Sequence, residues 1–214
     1  MLYKILKPLV KLILKIFFRY EEVNKPKNIG DQRLVVCANH MSWIDPILLI
    51  ASFDQRIYFM AKKELFQNKF MAMFYKSIGA FPIDRHGLDR EALKKAEEIL
   101  ANEEVLGIFP EGTRIKNVEE VSRENFNNGI AMLATRGDAN ILPIRIKGNY
   151  KPFRKMQVIY TDIVDINKVE RQSRKERYEN IVDQVYENIY IKAWKSVKNV
   201  AICKFLLYNI KKYD

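Results

Sequence analysis

In this chain of 214 residues, the side chains best suited to chemistry lie in Asn39-His40-Met41-Ser42-Trp43-Ile44-Asp45-Pro46. The stretch directly follows the apolar run 33–38. A histidine at the end of a strand stands where α/β sheets gather functional groups. Asp45 before Pro46 reads as a helix N-cap with proline in the first turn. A loop, not helical turns, then separates His40 from Asp45, and it can bring the carboxylate back to the imidazole. Such a carboxylate fixes the tautomer and stabilises the imidazolium, leaving the other ring nitrogen as a general base. Each residue also has a plainer reading, Asp45 as a cap alone and His40 as a structural histidine. The only other histidine is His86. A zinc site needs more ligands than the nearby sequence offers, so no metal is expected.

Three more segments end or form apolar runs. Phe109-Pro110-Glu111-Gly112-Thr113-Arg114 combines a glycine, which lets backbone approach a ligand, with an arginine able to grip phosphate through two hydrogen bonds. Alone, it also reads as an ordinary turn with a surface arginine. Gly79-Ala80-Phe81-Pro82-Ile83-Asp84-Arg85 also ends in an arginine, with an Asp84–Arg85 ion pair as the plainer reading. Ile141-Leu142-Pro143-Ile144 reads as a core strand.

Together, the His-x-x-x-x-Asp box and these three segments resemble the four blocks of the glycerolipid acyltransferases. The resemblance is closest to the 1-acyl-glycerol-3-phosphate acyltransferases and covers about residues 33–146. It implies that His40 deprotonates the acceptor hydroxyl while Asp45 orients and charge-balances it. It implies that Glu111, Gly112, Thr113 and Arg114 shape the acceptor site, with Arg114 and Arg85 on the acceptor phosphate. Lys62, in Ala61-Lys62-Lys63-Glu64-Leu65, is a further candidate phosphate ligand. The implied substrates are lysophosphatidic acid and an acyl thioester, acyl carrier protein or coenzyme A carrying the chain. Glycerol-3-phosphate or another lysolipid remains an alternative acceptor. No cofactor is implied. The chain lacks a Gly-x-Ser-x-Gly nucleophile elbow, so direct transfer by a general base is the simpler mechanism.

The elements that must position these residues alternate. Strands are expected at 33–38, 56–61, 80–83, 105–109, 141–146 and 157–161. Helices are expected at 46–52, 65–78, 88–101 and 125–136, with a long one at 173–199. In the helix 65–78, Phe66, Phe70, Met73 and Phe74 are spaced for one face. Asp89 or Gly87 caps 88–101, and Gly137 closes 125–136. This pattern predicts an α/β fold with a mixed, largely parallel sheet flanked by helices. The apolar segment 200–213 is either a second membrane contact or a core-packing tail.

Lysine and arginine number 37 against 26 acidic residues, which favours a polyanionic partner. No nucleic-acid motif appears, and no nucleic-acid partner is expected. Residues 1–20 hold Lys4, Lys7, Lys11, Lys15 and Arg19 and no acid. At about 100° per residue these basic groups share an arc of roughly 120°, with leucines, isoleucines and Phe17 on the other side. The charges break a transmembrane span and a signal peptide alike. A basic amphipathic helix at an anionic leaflet fits better, with packing on its own domain as the competing reading. Pro8 starts or kinks it. The expected organisation is a membrane-associating helix over 1–24 and an acyltransferase domain over 25–214. The expected location is the cytoplasmic face of the cell membrane, as a peripheral protein. Two cysteines, Cys37 and Cys203, lie far apart, so no disulfide framework is expected. Cys37 reads as a small buried hydrophobe.

Overall fold

The computed structural model describes residues 2–27, 29, 32–84, 87, 89–169 and 173–193. Arg85, His86 and the segment 200–213 lie outside the described residues.

The sheet begins with the most apolar strand. In β2 (Leu34–Ala38) every side chain is fully buried. Alternation sends Leu34, Val36 and Ala38 to one face and Val35 and Cys37 to the other, each into its own core cluster. Burial on both faces marks a central strand covered by helices on each side. Cys37 is the small buried hydrophobe expected, and burial pushes its thiol pKa well up.

The other strands are β1 (Tyr20–Val23), β3 (Ile57–Lys62), β4 (Ala80–Ile83), β5 (Val105–Ile108), β6 (Asn140–Gly148) and β7 (Met156–Tyr160). They form one seven-stranded sheet in the order β1-β7-β6-β2-β5-β3-β4. All neighbours are parallel except the β6–β7 hairpin, so the sheet is mixed and largely parallel, as the alternation predicted.

Helices α2 (Asp45–Ser52) and α3 (Lys69–Ser77) carry the chain outward from β2 to β3 and from β3 to β4. Helices α4 (Arg90–Ala101) and α5 (Gly129–Arg136) carry it back to β5 and β6. Right-handed crossovers in opposite directions place these pairs on opposite faces. Helix α6 (Arg174–Tyr186) joins the α4 and α5 face through Ile181, Val182 and Val185. The chains leaving β2 and β5, adjacent strands, therefore part to opposite faces. The carboxyl ends of such a diverging pair are where ligands bind in open α/β sheets.

Four elements differ from expectation, the simplest being the helix expected at 125–136, which begins only at Gly129 after a 3₁₀ turn over Arg123–Asn125. The helix expected at 65–78 is divided into a 3₁₀ turn, Lys63–Phe66, and α3. The Asn68 side chain accepts from the Phe70 and Met71 N–H groups and so starts a new helix. Strand β1 was not expected at all. It pairs with β7, and Tyr20 is buried, so the sheet begins inside the segment assigned to the N-terminal helix. The long C-terminal helix is capped by Ser173, and past Tyr186 it widens into a π-helical stretch, Glu187–Lys192.

The N-terminal helix α1 (Leu2–Phe18) contains Pro8 without interruption. Two of its basic side chains face the protein, while much of its apolar arc faces outward. Lys7 donates to the Asp54 carbonyl at 2.9 Å and Lys11 pairs with Glu22 at 2.7 Å, so both turn toward the domain. Leu14 is buried, while Leu9, Leu12, Ile13, Ile16 and Phe17 are 43–54% exposed. No helix among the described residues is long and apolar enough to cross a membrane.

Candidate active site

His40 stands just beyond β2. The preceding Asn39 is fully buried and locks the strand end to β6, donating to the Ile146 carbonyl at 3.0 Å and accepting from the Ile146 N–H at 2.7 Å. His40 Nδ1 lies 3.0 Å from Asp45 Oδ2. The same oxygen accepts from the Met41 and Ser42 N–H groups, each at 2.6 Å. Asp45 is thus the first residue of α2, not its N-cap. Ile44 precedes the helix without a side-chain cap bond, and the carboxylate folds back to close its own loop. Asp45 is fully buried. A buried carboxylate needs several donors to offset its lost hydration. The fourth is the Tyr150 hydroxyl, at 2.6 Å from Oδ1, reaching in from the β6–β7 loop. Burial and the adjacent Asp45 carboxylate hold the Tyr150 hydroxyl pKa far above the usual range.

The imidazole is also held from its face. Its ring stacks on Phe109 at 4.1 Å between centroids, and Phe109 stacks in turn on Phe59 at 5.8 Å. Gly107 makes room for this stack, since a Cβ there would lie 2.3 Å from the Phe59 ring. With Nδ1 committed to Asp45, Nε2 is the nitrogen left for a substrate proton.

The second block lies against the first. The Ile115 N–H donates to the His40 carbonyl at 2.8 Å, tying the loop after β5 to the loop after β2. Gly112 has φ +65°, the left-handed region that favours glycine, and its N–H donates to the Phe109 carbonyl at 3.1 Å. Gly112, Thr113 and Arg114 are exposed. The Arg114 guanidinium lies over the Trp43 ring, 4.0 Å from its centroid, within cation–π range. Lys62 is exposed at the end of β3, beside the ion pair of Lys63 with Asp84. The structure therefore gathers His40, Asp45 and residues 111–114 at one end of the sheet, with Lys62 at the same end two strands from His40. The block 141–144 supplies the β6 strand that pairs with β2.

Glu111 lies on the inner side of the loop after β5. Its side chain turns inward and accepts from the Tyr190 hydroxyl on the π-helical stretch. Arg145, 8% exposed, lies with its guanidinium 4.8 Å from the Tyr190 ring centroid. Burial raises the Glu111 carboxyl pKa to about 7, against the lowering by Tyr190, nearby backbone N–H groups and Arg145. A carboxyl with a raised pKa favours the folded state while protonated. That contribution is complete below the ordinary value of 4.5 and is lost as pH rises through about 7. The difference amounts to about 3 kcal/mol at most. Glu111→Gln cannot titrate and keeps an acceptor for Tyr190. The melting temperature of the variant relative to native should therefore climb by several degrees between pH 5 and pH 8. Parallel melting curves across that range would show that Glu111 does not titrate there.

Tyr150, Tyr190 and Arg145 were not legible in sequence. Each comes from far along the chain, and none carries a local pattern.

An Acyltransferase family model matches residues 19–147. The 1-acyl-sn-glycerol-3-phosphate acyltransferase of Bacillus subtilis is 34% identical over 148 residues, covering 69% of this chain and 72% of the relative. The enzyme of the same description from Streptococcus pneumoniae is 31% identical over 150 residues, covering 69% of this chain and 53% of the relative. Among solved structures, the crystal structure of the 1-acyl-sn-glycerophosphate (LPA) acyltransferase from Thermotoga maritima superposes with a TM-score of 0.62 at 25% identity. That match covers 86% of this chain and 78% of the other.

Proposed function

This chain belongs to the acyltransferase family, and we propose that it moves a fatty acyl chain from an acyl thioester to the sn-2 hydroxyl of 1-acyl-glycerol-3-phosphate, giving phosphatidic acid. The observation that carries the reading is the His40–Asp45 pair, 3.0 Å apart at the carboxyl end of the central strand, with Arg114 on the neighbouring loop.

In this mechanism His40 Nε2 takes the proton of the acceptor hydroxyl as its oxygen attacks the thioester carbonyl. The C–S bond breaks as the tetrahedral intermediate collapses, and the departing thiolate takes the proton from the imidazolium. Asp45 steadies the imidazolium between those steps. Arg114, with Thr113 and Gly112 beside it, receives the acceptor phosphate, and Lys62 and Arg85 are further candidate phosphate ligands. Glu111 supports this loop from within. The donor is acyl carrier protein or coenzyme A. The outward apolar side of α1 rests on an anionic membrane surface, where the acceptor resides, and holds the enzyme there as a peripheral protein.

The test is an assay of purified protein with lysophosphatidic acid, glycerol-3-phosphate and other lysolipids against both donors, with products resolved by mass. Lysophosphatidic acid should be the preferred acceptor. Preference for another would reassign the substrate. In the same assay, Arg114→Ala removes a charge-assisted contact of roughly 1.5–3 kcal/mol. The acceptor KM should rise about 10- to 100-fold with donor KM little changed. An effect confined to the donor would place the phosphate elsewhere.

A further inference from the structure

Helix α3 is the least buried regular element near the site. It has no buried residue, and Phe70, Met71, Met73 and Phe74 are exposed at 79%, 43%, 68% and 50%. On a helix these four side chains span an arc of roughly 160°. Lys69 and Lys76 flank one edge of that arc, and α3 carries no acid. From Arg56 to Ala80 the sequence has five basic residues and one acidic residue, Glu64.

The position of α3 sets this face beside that of α1. Its crossover lies on the same side of the sheet as α2, against which α1 packs. Arg56 joins the two outer helices. Its guanidinium donates to the Lys76 and Ser77 carbonyls at 3.0 and 3.1 Å and lies 5.4 Å from the Tyr3 ring centroid of α1. At the other end, α3 follows Lys62 and the 3₁₀ turn, so it starts at the end of the sheet that carries His40. Trp43 and Ile47, 59% and 37% exposed, continue the apolar rim at that end.

Exposed apolar area of this kind is costly in water unless something covers it. An aromatic and methionine arc edged by lysines has the composition of a helix lying in the headgroup boundary of an anionic leaflet. We propose that α3 is a second membrane-inserting element, its Phe70, Met73 and Phe74 side chains entering an anionic bilayer with Lys69 and Lys76 at the phosphates. Insertion at α1 and α3 together turns the His40 end of the sheet toward the lipid, so that a bilayer acceptor reaches Nε2 without leaving its leaflet. This orientation rests on the proposed reaction; insertion of α3 does not.

The experiment is flotation of the full chain with vesicles of phosphatidylglycerol and phosphatidylethanolamine, and with pure phosphatidylcholine vesicles. Phe70→Ser/Met73→Ser/Phe74→Ser changes only exposed positions, and circular dichroism checks its fold. Its partition coefficient should fall at least about tenfold. Lys69→Gln/Lys76→Gln should bind the anionic vesicles several-fold more weakly and pure phosphatidylcholine as native does. Turnover of detergent-dispersed acceptor should stay within about twofold of native for both variants. Native flotation of the serine variant overturns the proposal, as does a lysine variant indistinguishable from native on anionic vesicles. A raised KM for a protein-borne acyl donor with flotation unchanged also overturns it, assigning the face to the carrier. Flotation is read without turnover, so a failure of the acyltransfer reading is visible separately.

Discussion

In the His40→Ala variant, turnover is expected to fall about 10²- to 10⁴-fold, the usual cost of a lost general base. The fold should survive. The imidazole is 18% exposed, and most of the links that tie its loop to the domain use other groups: the residue 40 carbonyl, the Asn39 amide, and the Asp45 carboxylate with Tyr150. The Ile115 N–H still reaches the residue 40 carbonyl, and Asn39 still bridges β2 and β6. Acceptor KM should change little, because the proposed phosphate contacts lie on other residues. Stopped thioester assays with circular dichroism as a control decide it. A folded variant with near-native turnover would remove His40 from the mechanism.

Asp45→Asn should be nearly as damaging, about 10²- to 10³-fold in turnover, for a different reason. The amide oxygen can replace Oδ2 as acceptor for Met41, Ser42 and His40. The amide nitrogen then faces Tyr150, whose hydroxyl can accept as well as donate. The loop keeps its hydrogen bonds and loses only the negative charge opposite the imidazole. A fall in turnover with unchanged melting temperature and acceptor KM is the expected pattern. Loss of both stability and activity would mean that Asp45 acts by holding the loop. Native turnover would mean that the charge does not matter.

How much of this was readable in the sequence differs by residue. His40, Asp45 and residues 111–114 were legible because their patterns are local and each follows an apolar run. The apolar alternation likewise located six strands. Strand β1 was missed because Tyr-Glu-Glu-Val has little apolar pattern, and its partner β7 is distant in sequence. The face formed by Phe66, Phe70, Met73 and Phe74 was found, but periodicity names a face and not what covers it. Three of those four side chains are exposed. Asp45 was read as a cap because an acid before proline usually is one. Its pairing with His40 was foreseen, but its partner Tyr150 comes from a hairpin loop that only the folded sheet brings near. Lys7 and Lys11 looked like headgroup ligands because spacing alone cannot show that Asp54 and Glu22 lie beneath them.

The most direct test of acyl transfer is a paired count on the native protein. Lysophosphatidic acid and a labelled acyl thioester are mixed with enzyme, free thiol is titrated, and the lipid product is resolved by mass and by position of the new chain. The mechanism predicts one phosphatidic acid, labelled at sn-2, for each thiol released. Thiol released with free fatty acid and unchanged acceptor would make the protein a thioesterase and contradict it.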